Sequence, residues 1–509
     1  MAKYLIGSDV GTSGTKSVLI DEEGKQLASA YIEYPLTTPR PGWAEHDPEF
    51  YWNGVADTIH MCIQQSGVDN ADIKGVSISA LAPACILVDK DLNPLQNSHI
   101  WMDRRGTAQA NWIKEKIGYE AFADKNPNPI DPYFATIKLM WERDNRPELY
   151  KKAYKVQTAA DYPAMKLTGK PVTDYGNASL FGVGYDLIRR DWDTDYIERL
   201  GLDPEKFPKS YDSTDIIGEV TAEAAERTGL KKGTPVCAGT TDGGAAGMIN
   251  GGPINGLLTI TMGTAGVMRF AHEKPTFIRN LITTSYKDKY GTVAAISACG
   301  SLTRYFRDTF AQYEKSVAKT LDLDVFDIMT LEAQQAPLGS DGLMVLPYFM
   351  GERSPIWDPL ARGVVFGMSI MHTKGHLLRA FMEGATYALY QNYRCMIDGG
   401  AELSTPIYLT EGGAKSALWR QIVCDVFNVP VAFKQGASGA PLGNALIAGV
   451  GTGVFKDFSV AKPWSTISHF HEPNAEAHEK YMEYYAIYQR LYMRLKDEYA
   501  ELAKVTGYN

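Results

Sequence analysis

Cysteine, histidine, surplus basic charge and long apolar runs are all scarce in this chain, and each shortage removes a class of protein. The six cysteines (Cys62, Cys85, Cys237, Cys299, Cys395, Cys424) are spread along 509 residues without a CxxC pair. That spacing argues against a disulfide frame or a zinc site and for reduced core thiols in a cytoplasmic protein. Among the nine histidines, His372 and His376 share a helical metal-pair spacing, but Lys374 between them disfavours a cation. Lys and Arg number 51 against 60 Asp and Glu, a net charge of -9, so neither nucleic acid nor an acidic membrane surface is expected as a partner. No apolar run approaches a membrane span, and the N-terminus enters a strand without a signal peptide. The expected partner is a small molecule, and the length suits two or three domains. Neither the Walker A pattern GxxxxGK[ST] nor the dinucleotide pattern GxGxxG runs through the N-terminal glycines, which disfavours the two commonest nucleotide folds.

What the sequence does contain is a Gly-rich and hydroxyl-rich stretch, Asp9-Val10-Gly11-Thr12-Ser13-Gly14-Thr15-Lys16, between apolar runs at 4–6 and 18–20. The runs predict two strands and the stretch between them a hairpin tip. Gly11 and Gly14 let backbone N–H groups approach a phosphate, Thr12, Ser13 and Thr15 add hydroxyl donors, and Lys16 adds a positive charge. Asp9 repels phosphate unless a cation intervenes, which suggests Mg²⁺ held through water. Taken alone, the stretch reads equally well as an ordinary hairpin with an exposed Asp.

The theme returns in the second half. Residues 257–268 again give strand, tip (Gly263-Thr264-Ala265-Gly266) and strand. Two such hairpins suggest two similar α/β halves facing each other across a cleft, each offering a tip to the phosphates of one nucleotide. The domain boundary is set near Gly251-Gly252-Pro253, giving domains 1–250 and 251–509. Between the hairpins, residues 235–238 form a strand that leads to Asp242, at the carboxyl end where α/β sheets bind ligands. Alone, Asp242 before Gly243 reads as a turn former. Trp101, Asp103, Arg104 and Arg105 lie together before a helix, where the plain reading is a solvated charge cluster at a helix start. A stripe of Leu377, Phe381, Ala385, Leu389 and Tyr393 predicts a long helix over 374–394. After a strand at 407–409, Gly412 and Gly413 would let a flat ring lie against the backbone, or mark a plain turn. Tyr481, Tyr484, Tyr488, Leu491, Tyr492 and Leu495 follow helical spacing and predict a docking face.

With these motifs in place, the chain resembles the FGGY carbohydrate kinases, of the actin, hexokinase and sugar kinase superfamily, over nearly its whole length. The 9–16 tip looks like the family's first phosphate loop, Gly263 to Gly266 like its second, and Gly412-Gly413-Ala414 like its adenosine loop. Residues 363–368 with His376, Leu377, Ala380 and Glu383 resemble one family signature, with Phe381 bulkier than the pattern expects. Lys138 and Trp141 resemble the other, with Ala135 where Ser, Thr or Pro is usual. The resemblance implies an α/β fold of two ribonuclease H-like domains around an interdomain cleft, with ATP between them and the sugar mainly against the first. It places Asp242 as catalytic base, Asp9 and Asp242 as Mg²⁺ organisers, and Gly11, Thr12, Ser13, Lys16, Gly263, Thr264, Gly266, Gly412, Gly413 and Ala414 against ATP.

For the substrate it implies Trp101, Asp103, Arg105, Tyr133 and Asp242. Residues 80–85 depart from the family, because Ala82, Pro83 and Ala84 offer no polar side chain where glycerol kinases carry arginine and glutamate and many xylulokinases Met-His-Gly. The loop from Gly351 to Pro355 and Trp357-Asp358-Pro359 look like the xylulokinase and gluconokinase branches. The resulting expectation is an ATP- and Mg²⁺-dependent kinase of a ketopentose such as xylulose. Gluconate, another ketose, erythritol and glycerol are the alternative acceptors. A non-catalytic actin-like switch protein is the rival class, and a base beside the γ-phosphate argues against it. A homodimer is kept as a working assembly, since one sequence does not fix oligomeric state.

Overall fold

The computed structural model describes residues 2–250, 252–436 and 439–506. Gly251, at the boundary set from the sequence, lies outside them. The first half builds a sheet from β1 (Tyr4–Val10), β2 (Gly14–Ile20), β3 (Gln26–Glu33), β4 (Ile73–Ala80), β5 (Ile216–Glu219), β6 (Pro235–Cys237) and β7 (Thr240–Thr241). Its order is β5-β6-β4-β1-β2-β3, with β7 also beside β4. β1 runs antiparallel to β2 and parallel to β4, and β4 is parallel to β6. The second half builds β8 (Leu257–Met262), β9 (Gly266–His272), β10 (Ile282–Ser285), β11 (Tyr290–Ile296), β12 (Ser404–Thr410), β13 (Val431–Gly436) and β14 (Ser465–His471). They are ordered β10-β11-β9-β8-β12-β13-β14, with β8 parallel to β12 and β12 parallel to β13.

Set aside β5 and β7, then β10 and β14, and the two sheets share one order: third, second, first, fourth, fifth. In each, the first strand is flanked by an antiparallel partner and a parallel one, so the hairpin tip falls at the carboxyl end of the parallel strands, where side chains from several connections converge. β1 is buried along most of its length (Leu5, Ile6, Gly7, Ser8 and Val10), as a central strand covered on both faces must be.

The helices that position the site are α1 (Pro48–Ser66), α2 (Ala135–Asn145), α3 (Asp242–Met248), α4 (Gly300–Phe310), α5 (Lys374–Asp398), α6 (Ala417–Phe427), α7 (Ala440–Gly451) and α8 (Ala475–Thr506). Asp47 caps α1 by accepting from Glu49 N, with Pro48 in the first turn and Gly67 left-handed at the end. α5 differs from its one-stripe expectation. It runs on to Asp398 and is buried on every side from Ala380 to Tyr390, while Leu377 and Tyr393 are only partly covered. Packing from several elements at once replaces a single apolar face.

The C-terminal helix α8 docks as expected, through Tyr481, Tyr485, Tyr488, Tyr492 and Tyr499, with Tyr484, Leu491 and Leu495 at the margin. Three of its hydroxyls are tied down: Tyr481 donates to Glu383 Oε1 at 3.1 Å, Tyr492 donates to Asp358 Oδ2 at 3.0 Å, and Tyr488 and Tyr348 share a bond of 2.8 Å.

α7 crosses the expected boundary. Its residues come late in the sequence, yet Ala445, Leu446, Ile447 and Ala448 pack with Leu5, Val18, Ile20 and Cys237 of the first half. The approach is close: a Cβ at Gly7 would lie 1.9 Å from Pro441 O, and one at Gly443 would lie 1.9 Å from Ala245 O. All six cysteines are free and five are buried. No described helix is long and apolar enough to cross a membrane.

Candidate active site

The first hairpin is tighter than its apolar runs predict. Ser8, Asp9 and Val10 continue β1 and Gly14 to Ser17 begin β2, so the tip is Gly11, Thr12 and Ser13 alone. Ladder hydrogen bonds carry the polar residues into strands, because the sheet, not side-chain polarity, sets where pairing ends. Gly11 N donates to Gly14 O at 2.8 Å across the tip. Lys16 therefore stands in a strand, exposed and directly opposite Asp9 in register.

Sheet register assembles the acids. Asp9 pairs with Ser79 of β4, and Ser79 also pairs with Thr240 of β7, which puts three strands in one row with Asp242 two residues beyond. Ser79 Oγ donates to Asp9 Oδ1 at 2.6 Å. Asn444 on α7 donates to Ser79 Oγ at 2.6 Å and to Ser8 O at 2.7 Å, so a residue far along the sequence orients the Asp9 carboxyl. Burial first, and then the nearby Asp242, push the Asp9 carboxyl up to about 7 against the opposing Ser79 bond.

Asp242 is the first residue of α3. Thr241 caps that helix by accepting from Gly244 N at 3.1 Å, and Gly243 N donates to Asp242 Oδ1 at 2.5 Å. The carboxylate is open to the cleft yet surrounded by protein. Desolvation raises it, while the guanidiniums of Arg269 and Arg353, both from the second half, act the other way. A cavity of about 440 Å³ separates α3 from the second sheet, lined by Gly243, Gly247, Thr259, Thr261, Arg269 and Phe433 among others.

The second tip is Gly263, Thr264 and Ala265, with Met262 opposite Gly266 in register. It is docked on the start of α4, where Gly300 N donates to Gly263 O at 2.7 Å and Cys299 N to Thr264 O at 3.0 Å. Thr264 is exposed and accepts from Arg304 Nη2 at 2.5 Å. Arg304 escaped the sequence reading; its one signal is its place one turn into the helix that starts at Gly300. In the third loop, Glu411 is left-handed at φ 71°. A Cβ on Gly412 would meet nothing within 4 Å, whereas one on Gly413 would press on Met262 and Trp419. Ala414 is fully buried and its carbonyl accepts from Arg420, so Gly412 is the open member of this loop.

Of the expected substrate residues, Trp101 and Tyr133 face one apolar cluster with Ala82, Phe134 and Trp357. Trp101 Nε1 donates to Thr12 Oγ1 at 3.1 Å, tying this wall to the first hairpin tip. Tyr133 donates its hydroxyl to Ala82 O at 2.9 Å. Trp357, from the second half, meets Tyr133 edge to face at 5.9 Å, with its own backbone at φ 48°.

Asp103 and Arg105 are brought close by, but their side chains are completely buried and hold each other, at 2.7 Å from Nη2 to Oδ2 and 2.9 Å from Nε to Oδ1. Arg105 also bridges to Glu45 at 2.6 Å and lies 3.7 Å over the Trp43 ring. This corrects both expectations, solvated cluster and direct sugar contact: the pair is the support beneath the Trp101 wall. Lys138, also buried, joins in by donating to Asp103 O at 3.0 Å and Pro132 O at 2.5 Å.

Two acids with hard oxygen donors beside phosphate-type tips fit Mg²⁺, which takes one or two carboxylates plus waters and phosphate oxygens. Burial raises the Asp9 carboxyl and the nearby Asp242 adds to it, a cost that a bound cation would offset.

Both halves of the chain have counterparts among known proteins. Residues 4–248 match the N-terminal domain, and residues 258–452 the C-terminal domain, of the FGGY family of carbohydrate kinases. The chain is 30% identical to a xylulose kinase of Bacillus subtilis (strain 168) over 501 residues, covering 97% of this chain and 98% of that one. It is also 30% identical to a gluconokinase of the same organism, covering 99% and 98%. Among solved structures, xylulose kinase from Rhodospirillum rubrum superposes with a TM-score of 0.88 at 27% identity, covering 98% of this chain and 100% of that one. Gluconate kinase from Lactobacillus acidophilus gives 0.88 at 28%, covering 99% and 100%. The chain belongs to the FGGY family of carbohydrate kinases.

Proposed function

We propose that this protein transfers the γ-phosphoryl group of ATP to a hydroxyl of a small polyhydroxy acceptor, a ketopentose such as xylulose. The observation that carries the reading is the row Asp9, Ser79, Thr240 leading into Asp242 at the carboxyl ends of the first sheet. In this reading Asp242 accepts the hydroxyl proton as the oxygen attacks in line. Such help is typically worth about a hundred- to ten-thousand-fold in rate. Thr12, Ser13, Lys16, Thr264 and Gly266 hold the phosphates, Arg304 adds a charge at Thr264, and Gly412 faces the adenosine. Asp9 and Asp242 would hold Mg²⁺, which when bound would supply charge neutralisation at the phosphates.

Gluconate is the second reading, favoured by the two guanidiniums that bear on Asp242. The test is ADP release with Mg-ATP against xylulose, ribulose, gluconate, erythritol and glycerol, with Asp242→Asn beside the native protein. Saturable turnover on one acceptor, lost in the variant, is expected. ADP release that no acceptor raises, with ATP still bound, overturns the reading.

A further inference from the structure

We infer that the acceptor is selected by an sp² oxygen, a ketone or a carboxylate, which it presents to Arg269 and Arg353. The inference rests on the kinase reading above and names the substrate feature that the same site reads.

The first half of the chain leaves the pocket short of donors. Ala82, Pro83 and Ala84 bring no polar side chain, and the Tyr133 hydroxyl already donates to the Ala82 carbonyl. The Trp101 N–H is taken by Thr12, and Asp103 and Arg105 are shut beneath the wall. Donors therefore come from across the cleft. Arg353 lies 5.9 Å over the Trp101 ring and commits one Nη2 hydrogen to Ile296 O at 3.0 Å. Beside it, Glu352 Oε1 accepts from the backbone N–H groups of Ser297 and Arg353, both at 2.7 Å.

Arg269 projects from β9 onto the base itself. A Cβ at Gly243 would fall 1.6 Å from its Nη2, so glycine next to Asp242 is what admits the guanidinium there. Arg269 is paired in register with Val293, which packs in the same cluster as Trp101 and Tyr133, and Arg353 lies over Trp101, so both guanidiniums border one wall. A guanidinium offers five N–H donors and no acceptor, in a planar fork that matches a carbonyl or carboxylate oxygen far better than an alcohol. With Asp242 engaged by the reacting hydroxyl, the fork needs another acceptor, and an alditol has none of that geometry to give.

The test is calorimetric titration, with ADP present, of two matched pairs: D-xylulose against xylitol, and D-gluconate against D-glucitol. The preferred oxygen-bearing member should bind about 10- to 100-fold more tightly than its alditol, the span of a hydrogen bond to a charged group. Which pair shows the preference identifies ketone or carboxylate as the source. R353Q and R269Q should each erode the preference while ADP affinity stays unchanged, and R353K should keep part of it. An alditol that binds as tightly as its partner overturns the inference, as does a preference that survives both glutamine variants, or failure of all four compounds to bind. If the preference holds while no acceptor gives ADP release, the kinase reading falls and this inference stands.

Discussion

At the residue scale, the chemistry concentrates in two acids held by different means. Asp242 starts a helix and has the cleft in front of it, so Asp242→Asn should leave ADP binding in the absence of Mg²⁺ near native. Its turnover should fall by about a hundred- to ten-thousand-fold, as read by coupled ADP release and ADP titration. Asp9 is held at Ser79 and titrates near 7 instead of its ordinary 3.8. Because the folded form keeps the proton longer than the unfolded chain, the stability it contributes is fully present below 3.8 and is lost as pH rises through about 7. Without Mg²⁺ and nucleotide, Asp9→Asn should therefore gain in melting temperature relative to the native protein between about pH 5 and about pH 8. A gap that does not change with pH would show that the carboxyl ionises freely.

Asp9 and the glycine tips were legible because their meaning is local: a strand, a turn and a donor set within eight residues. Asn444, Arg269 and Arg304 were not. Asn444 reaches Ser79 across 365 positions, and nothing in their own neighbourhoods distinguishes them from surface residues. Asp103 and Arg105 were visible as a cluster, but their burial depends on Glu45 and Trp43, some sixty residues earlier.

At the element scale, glycines sort into those that pack and those that face open space. Gly7 sits where β1 meets α7, and Gly7→Ala should lower stability by about 1 to 3 kcal/mol through overpacking, seen as a lower denaturation midpoint. Gly412 has open space around it, so Gly412→Ala should leave stability within about 0.5 kcal/mol of native. Its apparent KM for ATP should rise by about tenfold, the size of 1.4 kcal/mol of lost contact, with the acceptor KM unchanged. An unchanged ATP KM would move the adenosine away from this loop. Strand existence was easier to read than strand ends. Apolar runs marked both hairpins, but ladder pairing extended β1 and β2 through polar residues that the runs left out. The buried middle of α5 was missed for the converse reason: Glu383, Thr386 and Asn392 look solvent-facing until their partners are known. Glu383 alone accepts from Gly339 N, Ser340, Arg379 and Tyr481.

At the scale of the whole molecule, the two halves are latched as well as adjacent. Buried Asn128 donates to Thr283 O at 3.0 Å and accepts from Thr283 N at 2.7 Å, imitating one rung of a strand ladder between the halves. Asn128→Ala should lower the melting temperature by an amount matching about 1 to 3 kcal/mol. It should also raise acceptor-independent ADP release, since a looser cleft admits water to the phosphates. The repeat of sheet order was legible from the two hairpins, spaced half a chain apart, whereas the return of α7 to the first sheet was not, because α7 is apolar on both sides and its sequence names no partner.

That return has a consequence for how the protein is made. Residues 440–464 complete the apolar layer over β1, β2 and β6, so the first half cannot close its core until residues 440–464 have been made as well. A fragment of residues 1–250 expressed alone should be recovered as aggregate, and a peptide spanning α7 supplied in trans should return it to solution. The first hairpin thus waits on a helix translated more than four hundred positions later.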